Sequence, residues 1–250
     1  MKNGVILVTD KNYINHTQSL VHAVRKYGKI KDISIITNYD NSQNDFPNED
    51  VINFQYSEGN YNLKYKILDD TITDRYDKIL YLDADVVILD DLNPLFNEYN
   101  TPLSAVLEPF TVKETMISLA PIAVQNRFEK EHGTEIVVNR KSFNSGIMLI
   151  ETSYLYNNQL KEIRNEYRQF NYHVRGIEDG GDQPIFNLFF NNEWRFSPLL
   201  HAAFWKDYKE NKHRLLHFCH WDAPWYNNTF NKCIGKTYKE YYLENLESYR

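Results

Sequence analysis

The sequence predicts an α/β fold, a single layered domain whose central sheet is mostly parallel and flanked by helices. Apolar runs rich in β-branched residues recur at 5–8, 33–36, 51–54, 79–82, 86–89 and 146–150, each of strand length. The first two are separated by a segment with helical periodicity, and strand–helix–strand order implies parallel pairing through a right-handed crossover. The composition supports a packed core: 42% of residues are hydrophobic, and 19 Tyr with 14 Phe exclude a disordered chain. At 250 residues, one domain over 1–250 is the simplest count.

Taken in order, the run at 5–8 is the first strand. Leu20, Val21 and Val24 then mark one face of a helix that follows Asn15 and stops near Gly28. Residues 65–76 predict a helix before the strand at 79–82, and residues 152–170 another with a polar outer face. Residues 111–141 combine a candidate helix at 121–131 with an ambiguous Val137-Val138 run, and are expected to form an excursion or lid. Residues 226–250 read as a helical tail, with its helix starting from Lys236.

Charge and cysteine usage exclude several function classes. The net charge is −6 and no cluster of Lys and Arg interrupts it, so a nucleic acid is not an expected partner. The opening apolar run has only about five residues, against about 7 to 15 for a secretory segment and about 20 for a membrane span. No transmembrane segment is expected, and the predicted location is cytoplasmic. Cys219 and Cys233 are the only cysteines, too few for a disulfide framework or a zinc ligand set.

The chemistry concentrates where carboxylates interrupt apolar sequence. In Ile79-Leu80-Tyr81-Leu82-Asp83-Ala84-Asp85-Val86-Val87-Ile88 two acids sit between strand-like runs, where an unpaired buried carboxylate would be costly. In an extended chain, residues two apart share a side, so Asp83 and Asp85 are expected to converge on one cation. Their hard oxygens suit Mn²⁺ or Mg²⁺ bridging a diphosphate, while a solvated turn is the alternative for a bare pair. Asp179-Gly180-Gly181-Asp182-Gln183 places two carboxylates and an amide around a backbone that a ligand can approach closely, a composition suited to sugar hydroxyls. Asp182 could equally cap a helix through 185–190. Asn144-Ser145-Gly146 leads into a strand, and the His217 imidazole would add a nitrogen ligand to the two carboxylates, a set better matched to Mn²⁺ than to Ca²⁺.

Together these segments resemble the glycogenin-like retaining glycosyltransferases of family 8. Leu7-Val8-Thr9-Asp10-Lys11-Asn12-Tyr13 is similar to the family's first-strand loop, Asp83-Ala84-Asp85 to its metal motif, and Phe143-Asn144-Ser145-Gly146 to its Asn-Ser-Gly segment. Asp179 to Gln183, with Asn187 and Phe189-Phe190, resembles its sugar-binding stretch, and His217-Phe218 with Pro224-Trp225 its last metal motif. The resemblance covers residues 4 to 225. It implies a GT-A-like, Rossmann-like nucleotide-sugar-binding domain with ligands at the carboxyl ends of the strands.

The implied roles follow position by position. Leu7, Thr9, Asp10 and Tyr13 would hold the uracil and ribose, with the Tyr13 ring stacked on the base. Asp83, Asp85 and His217 would ligate the metal, with Ala84 between the two acids. Asn144, Asp179, Asp182 and Gln183 would orient the sugar, Asp182 facing the anomeric carbon, with Ser145 among the residues that bind the nucleotide sugar. The implied reaction transfers a hexose, glucose from UDP-glucose before other UDP-hexoses, to a hydroxyl on a glycan, protein or small molecule.

One departure stands out. The family's last motif usually reads His-Phe-x-Gly-x-x-Lys-Pro-Trp; here His220 replaces the Gly and Ala223 replaces the Lys that binds the leaving diphosphate. His220 or Lys64 could supply that positive charge, and ordinary surface solvation is the alternative for Lys64. Two other functions remain as alternatives: a catalytically weak sugar-nucleotide-binding protein, and a nucleotidyltransferase, although nothing in the chain resembles a Gly-rich basic triphosphate loop. Homodimerisation is compatible with all three.

Overall fold

The computed structural model describes residues 2–54, 63–112, 114, 140–156, 182–183, 186–187, 190, 196–218, 230–232 and 234–250. Among them a seven-stranded sheet has the order β3-β2-β1-β4-β7-β6-β8. Its strands are β1 (Asn3–Val8), β2 (Ile33–Thr37), β3 (Asp50–Asn53), β4 (Lys78–Leu82), β6 (Leu103–Thr111), β7 (Lys141–Glu151) and β8 (Phe196–Pro198). The pairs β2/β3, β1/β2, β1/β4 and β6/β8 are parallel, while β7 runs antiparallel to both β4 and β6. The mainly parallel sheet is as expected. A second sheet joins β5 (Val86–Ile88), β10 (Leu215–His217) and β9 (Ala202–Phe204) in the order β5-β10-β9.

Each central strand is buried on both faces, which explains why the sequence reads as continuous apolar runs. Alternate residues serve two cores. Val5, Leu7, Ile33, Ile35, Leu80 and Leu82 pack with Leu20, Val21 and Val24 of α1 (Ile14–Lys26). Tyr238 and Tyr241 of the C-terminal helix join the same core. Ile6, Ile36, Ile79 and Tyr81 face the other way, against Leu63, Ile67, Leu68 and Ile72.

Several predicted elements are corrected. In place of one helix over 65–76 there is a 3₁₀ turn, Tyr65–Leu68, and then a short helix α3 (Asp70–Thr73), α2 being Ser42–Asp45. The break is Asp69, extended at φ −72° and ψ 144°, whose carboxylate accepts from Thr71 N and starts a new helix rather than continuing the old one. Residues 152–156 form a 3₁₀ turn. The strand at 146–150 extends to 141–151. A short helix, α4 (Asn93–Glu98), leads to β6; β6, β8, β9 and β10 were not among the strands expected from the sequence.

The terminal helix, α5 (Tyr238–Tyr249), begins two residues later than predicted. Lys236–Thr237 is instead paired as β12 with β11 (Phe230–Asn231), and Thr237 forms a capping box with Glu240. The candidate helix at 121–131, the Val137-Val138 run and most of 152–170 lie outside the described residues. No helix among the described residues is long and apolar enough to cross a membrane.

Candidate functional site

Asp83-Ala84-Asp85 lies where the two sheets meet. β4 ends at Leu82 and β5 starts at Val86, so the motif is a turn rather than the extended segment the spacing suggested. Three backbone hydrogen bonds set that turn: Asp83 N donates to Gly146 O (2.7 Å), Val86 N to Asp83 O (3.3 Å) and Phe218 N to Asp85 O (3.1 Å). The acids therefore converge because the chain turns between neighbours on both sides. The antiparallel register of β5 and β10 puts His217 opposite Val86, which brings a residue 132 positions away in sequence beside Asp85.

His217 Nε2 is 3.0 Å from Asp85 Oδ1 and 3.9 Å from Asp83 Oδ2. One ligand atom from each of Asp83, Asp85 and His217 lies within 4.8 Å of the other two. Burial opposes a charge on His217, but the Asp85 and Asp83 carboxylates outweigh it and raise the imidazole above its usual range. Both carboxylates thus favour positive charge at this point. The backbone leaves room for it: a Cβ on Gly146 would lie 2.5 Å from His217 Nε2 and 2.8 Å from Asp83 Oδ2, so only glycine lets β7 pass this close. Two carboxylates and an imidazole at this separation fit a divalent cation that takes oxygen and nitrogen ligands.

Beside this group is a second, buried cluster. Lys64 is not a solvated surface lysine; it is 5% exposed and bridges two carboxylates, 3.1 Å from Asp83 Oδ1 and 2.6 Å from Asp182 Oδ2. It also donates to Ser145 Oγ (3.2 Å), and Ser145 Oγ donates to Asp182 Oδ2 (2.6 Å). Burial acts against the Lys64 ammonium, while Asp182 and then Asp83 favour it, and the balance raises its pKa. The Tyr81 hydroxyl donates to Asp83 Oδ1. Burial first, and the Asp83 charge second, push that phenol well above its usual range, so it stays a donor.

The third part of the site is an amide–carboxylate network. Asn144 Nδ2 donates to Gln183 Oε1 (3.0 Å) and to Glu108 Oε1 (3.0 Å), and Gln183 Nε2 donates to Glu108 Oε1 (3.3 Å). Asn144 Oδ1 accepts from Gly146 N (2.8 Å), which ties the network to the glycine at the cation group. Glu108 was missed in the sequence. Its signal was the one that flagged Asp83, an acid closing an apolar strand, in Leu103-Ser104-Ala105-Val106-Leu107-Glu108. Asn187, grouped by sequence with the sugar-binding stretch, is fully buried and exchanges hydrogen bonds with Phe143 N and O (2.9 and 2.7 Å). It clamps the Gln183 segment to β7.

The first-strand loop follows β1, whose Leu7 pairs with Leu82, so Thr9 and Asp83 emerge from neighbouring strand ends. Thr9 is buried, and its backbone N–H donates to Ile36 O (2.9 Å). Asp10 shapes the loop from within: its Oδ1 accepts from Asn12 N (2.8 Å) and Tyr13 N (3.2 Å). Tyr13 is 38% exposed, with its ring 5.5 Å from that of His16. Asp182 carbonyl accepts from Phe186 N while its carboxylate turns to Lys64 and Ser145. Asp179, His220 and Ala223 lie outside the described residues.

Comparison with known proteins points to one class, glycosyltransferases of GT-A fold. The chain belongs to glycosyl transferase family 8, whose sequence profile matches residues 4–229. It is 28% identical over 160 residues to a probable glycosyl transferase, Gly, of Streptococcus gordonii, which covers 60% of this chain and 20% of that protein. Among solved structures it is similar to the glycosyltransferase GlyE of Streptococcus pneumoniae TIGR4, with a TM-score of 0.64, 19% identity, and coverage of 100% of this chain and 63% of that one. It is also similar to the galactosyltransferase LgtC, solved with donor and acceptor sugar analogues, with a TM-score of 0.58, 16% identity, and coverage of 98% and 95%. The bifunctional glycosyltransferase WbbM gives a TM-score of 0.63 at 17% identity, over 98% of this chain and 49% of that one. At these identities the structural likeness is one of fold. The chain spans a fifth of the curated relative and about half of WbbM.

Proposed function

We propose that the protein is a retaining hexosyltransferase that uses a UDP-hexose, UDP-glucose first, with a divalent cation, Mn²⁺ before Mg²⁺, held by Asp83, Asp85 and His217. The observation that carries this is the adjacency of the three-ligand group to the Lys64–Asp182 pair, in a chain of family 8. Such a cation neutralises charge on a leaving diphosphate.

The remaining roles fall to the chain's own groups. Tyr13 stacks on the base, and the buried Thr9 supports the loop that carries it. Lys64 is the cation nearest both carboxylates and is placed to meet the phosphate charge that Ala223 leaves without its usual lysine. Asn144, Gln183 and Glu108 form a polar wall for the sugar hydroxyls, and orienting the sugar is also the role proposed for Asp179. Asp182 Oδ2 already accepts from Lys64 and Ser145, which favours electrostatic support of the anomeric carbon over covalent attack. The bond from the anomeric carbon to UDP breaks, a bond to the acceptor oxygen forms, and the acceptor proton leaves with the diphosphate or to solvent.

The test is UDP release from UDP-glucose with and without Mn²⁺, across a panel of UDP-hexoses and hydroxyl acceptors that includes water. Metal-dependent UDP release supports a transferase. Tight UDP-glucose binding without turnover would instead make the chain a sugar-nucleotide-binding protein. The domain count of one, the cytoplasmic location and a homodimer remain parts of the same proposal.

A further inference from the structure

Tyr81 stands on the inner face of β4, 3% exposed, in a cluster with Ile6, Ile79, Leu103 and Met148. A phenylalanine would fill the same apolar space, and a buried hydroxyl is unfavourable unless it is bonded. Here its partner is Asp83 Oδ1, two residues further on and just past the end of β4. The Tyr81 ring also lies under Lys64, whose Nζ is 4.8 Å from the ring centroid.

The Tyr81 hydroxyl distinguishes the two oxygens of Asp83. Oδ1 accepts from Tyr81, while Lys64 reaches both oxygens, at 3.1 Å from Oδ1 and 3.4 Å from Oδ2. Oδ2 is the oxygen that looks towards His217 Nε2. Building on the cation site proposed above, we infer that Tyr81 is a positioning residue: its hydroxyl fixes the carboxylate plane of Asp83 so that Oδ2 is presented to a cation shared with Asp85 and His217. Its ring face also meets the Lys64 ammonium. Without the hydroxyl, the Asp83 carboxylate can rotate about its terminal torsion, which is broad and roughly two-fold, and Oδ2 is no longer fixed towards the cation group.

The experiment titrates Mn²⁺ alone into metal-free wild type, Tyr81→Phe and Asp83→Asn by calorimetry, with UDP affinity in the absence of metal and circular dichroism measured on each. Outer hydrogen bonds to metal-ligating groups are worth about 10- to 100-fold in affinity, so Tyr81→Phe is expected to weaken Mn²⁺ binding about tenfold. It should leave the metal-free UDP affinity and the circular dichroism spectrum as in wild type. Wild-type Mn²⁺ affinity in Tyr81→Phe overturns the inference. So does a parallel loss of metal-free UDP binding, which would mark a general distortion, or a loss larger than that of Asp83→Asn, which no residue acting through Asp83 can cause. A wild-type protein that binds no divalent cation overturns the cation site itself, and the wild-type titration alone identifies that outcome.

Discussion

Gly146 and His217 touch so closely that β7 has no room for a side chain at this point: a Cβ on Gly146 would sit 2.5 Å from His217 Nε2. The imidazole is 3% exposed, is held against Asp85, and is stacked on Phe204 at 6.1 Å, so it has little space to retreat. Gly146→Ala should therefore push Nε2 away from the carboxylates. Calorimetric titration is expected to show Mn²⁺ affinity reduced at least tenfold, while β7, where alanine is conformationally acceptable, stays folded. Unchanged affinity would mean that His217 is not a ligand.

Lys64 is expected to matter for stability and turnover alike. Lys64→Met leaves Asp182 and Asp83 without their shared cation; breaking a buried pair from one side costs about 3–5 kcal/mol, and the low end applies because the Asp83 side chain is 32% exposed. The melting temperature without metal should drop, and Mn²⁺ should restore part of it by taking over the charge on Asp83. UDP release should fall by about 100-fold even with saturating metal, since Asp182 still lacks its partner. Wild-type turnover in this variant would remove Lys64 from the proposed chemistry.

Glu108 is expected to act on the sugar rather than on the nucleotide. Its Oε1 accepts from both Asn144 and Gln183, so Glu108→Ala removes the acceptor that orients two amides at once. Hydrogen bonds to charged groups contribute about 1.5–3 kcal/mol, which corresponds to a rise of about tenfold or more in KM for UDP-glucose. Inhibition by UDP, which lacks the hexose, should be unchanged. An equal weakening of UDP would assign Glu108 to the diphosphate instead.

The central strands were legible because burial on both faces leaves continuous apolar runs, and Asp83-Ala84-Asp85 stood out as an interruption in one of them. What the runs could not convey was direction and partnership. β7 is as apolar as its neighbours yet runs antiparallel, since side-chain periodicity does not distinguish parallel from antiparallel pairing. Strands β8, β9 and β10 have only three residues each, below the length at which alternation gives a signal. The converging acids were anticipated for the wrong geometric reason, because a tight turn and an extended chain can bring the same two carboxylates together. Tyr81 gave no signal, and Glu108 only that of an acid after an apolar run, because their roles depend on residues 2 and 75 positions away whose orientation only the folded sheet defines.

Lys78 offers a control far from the chemistry. It begins β4, at the opposite end from Asp83, and its buried ammonium donates to Phe96 O (2.8 Å), Tyr99 O (2.5 Å) and Asn100 Oδ1 (2.9 Å) at the end of α4. Lys78→Met keeps the stem but leaves these acceptors without their donor, at about 1–3 kcal/mol for a buried group. Denaturant unfolding should show a loss of about 2–4 kcal/mol in total, with Mn²⁺ affinity and KM for UDP-glucose unchanged at temperatures where the protein is folded. Altered metal binding would reveal that the two ends of β4 are coupled.

Substitution of Tyr13 tests the proposed base stacking separately from the rest of the site. Its ring is 38% exposed, set by the Asp10 turn and backed by His16, so removing it should alter little of the core. Stacking between an aromatic side chain and a base is worth about 1–3 kcal/mol, and Tyr13→Ala is therefore expected to weaken UDP binding by about tenfold or more, with and without metal. Tyr13→Phe should bind UDP as wild type does, because the π-face and not the hydroxyl makes the contact. The same Tyr13→Ala change should leave Mn²⁺ affinity in the absence of nucleotide unaltered, since Asp83, Asp85 and His217 are positioned by β4, β5 and β10. Equal UDP affinity in Tyr13→Ala and wild type would place the base elsewhere along the carboxyl ends of the strands.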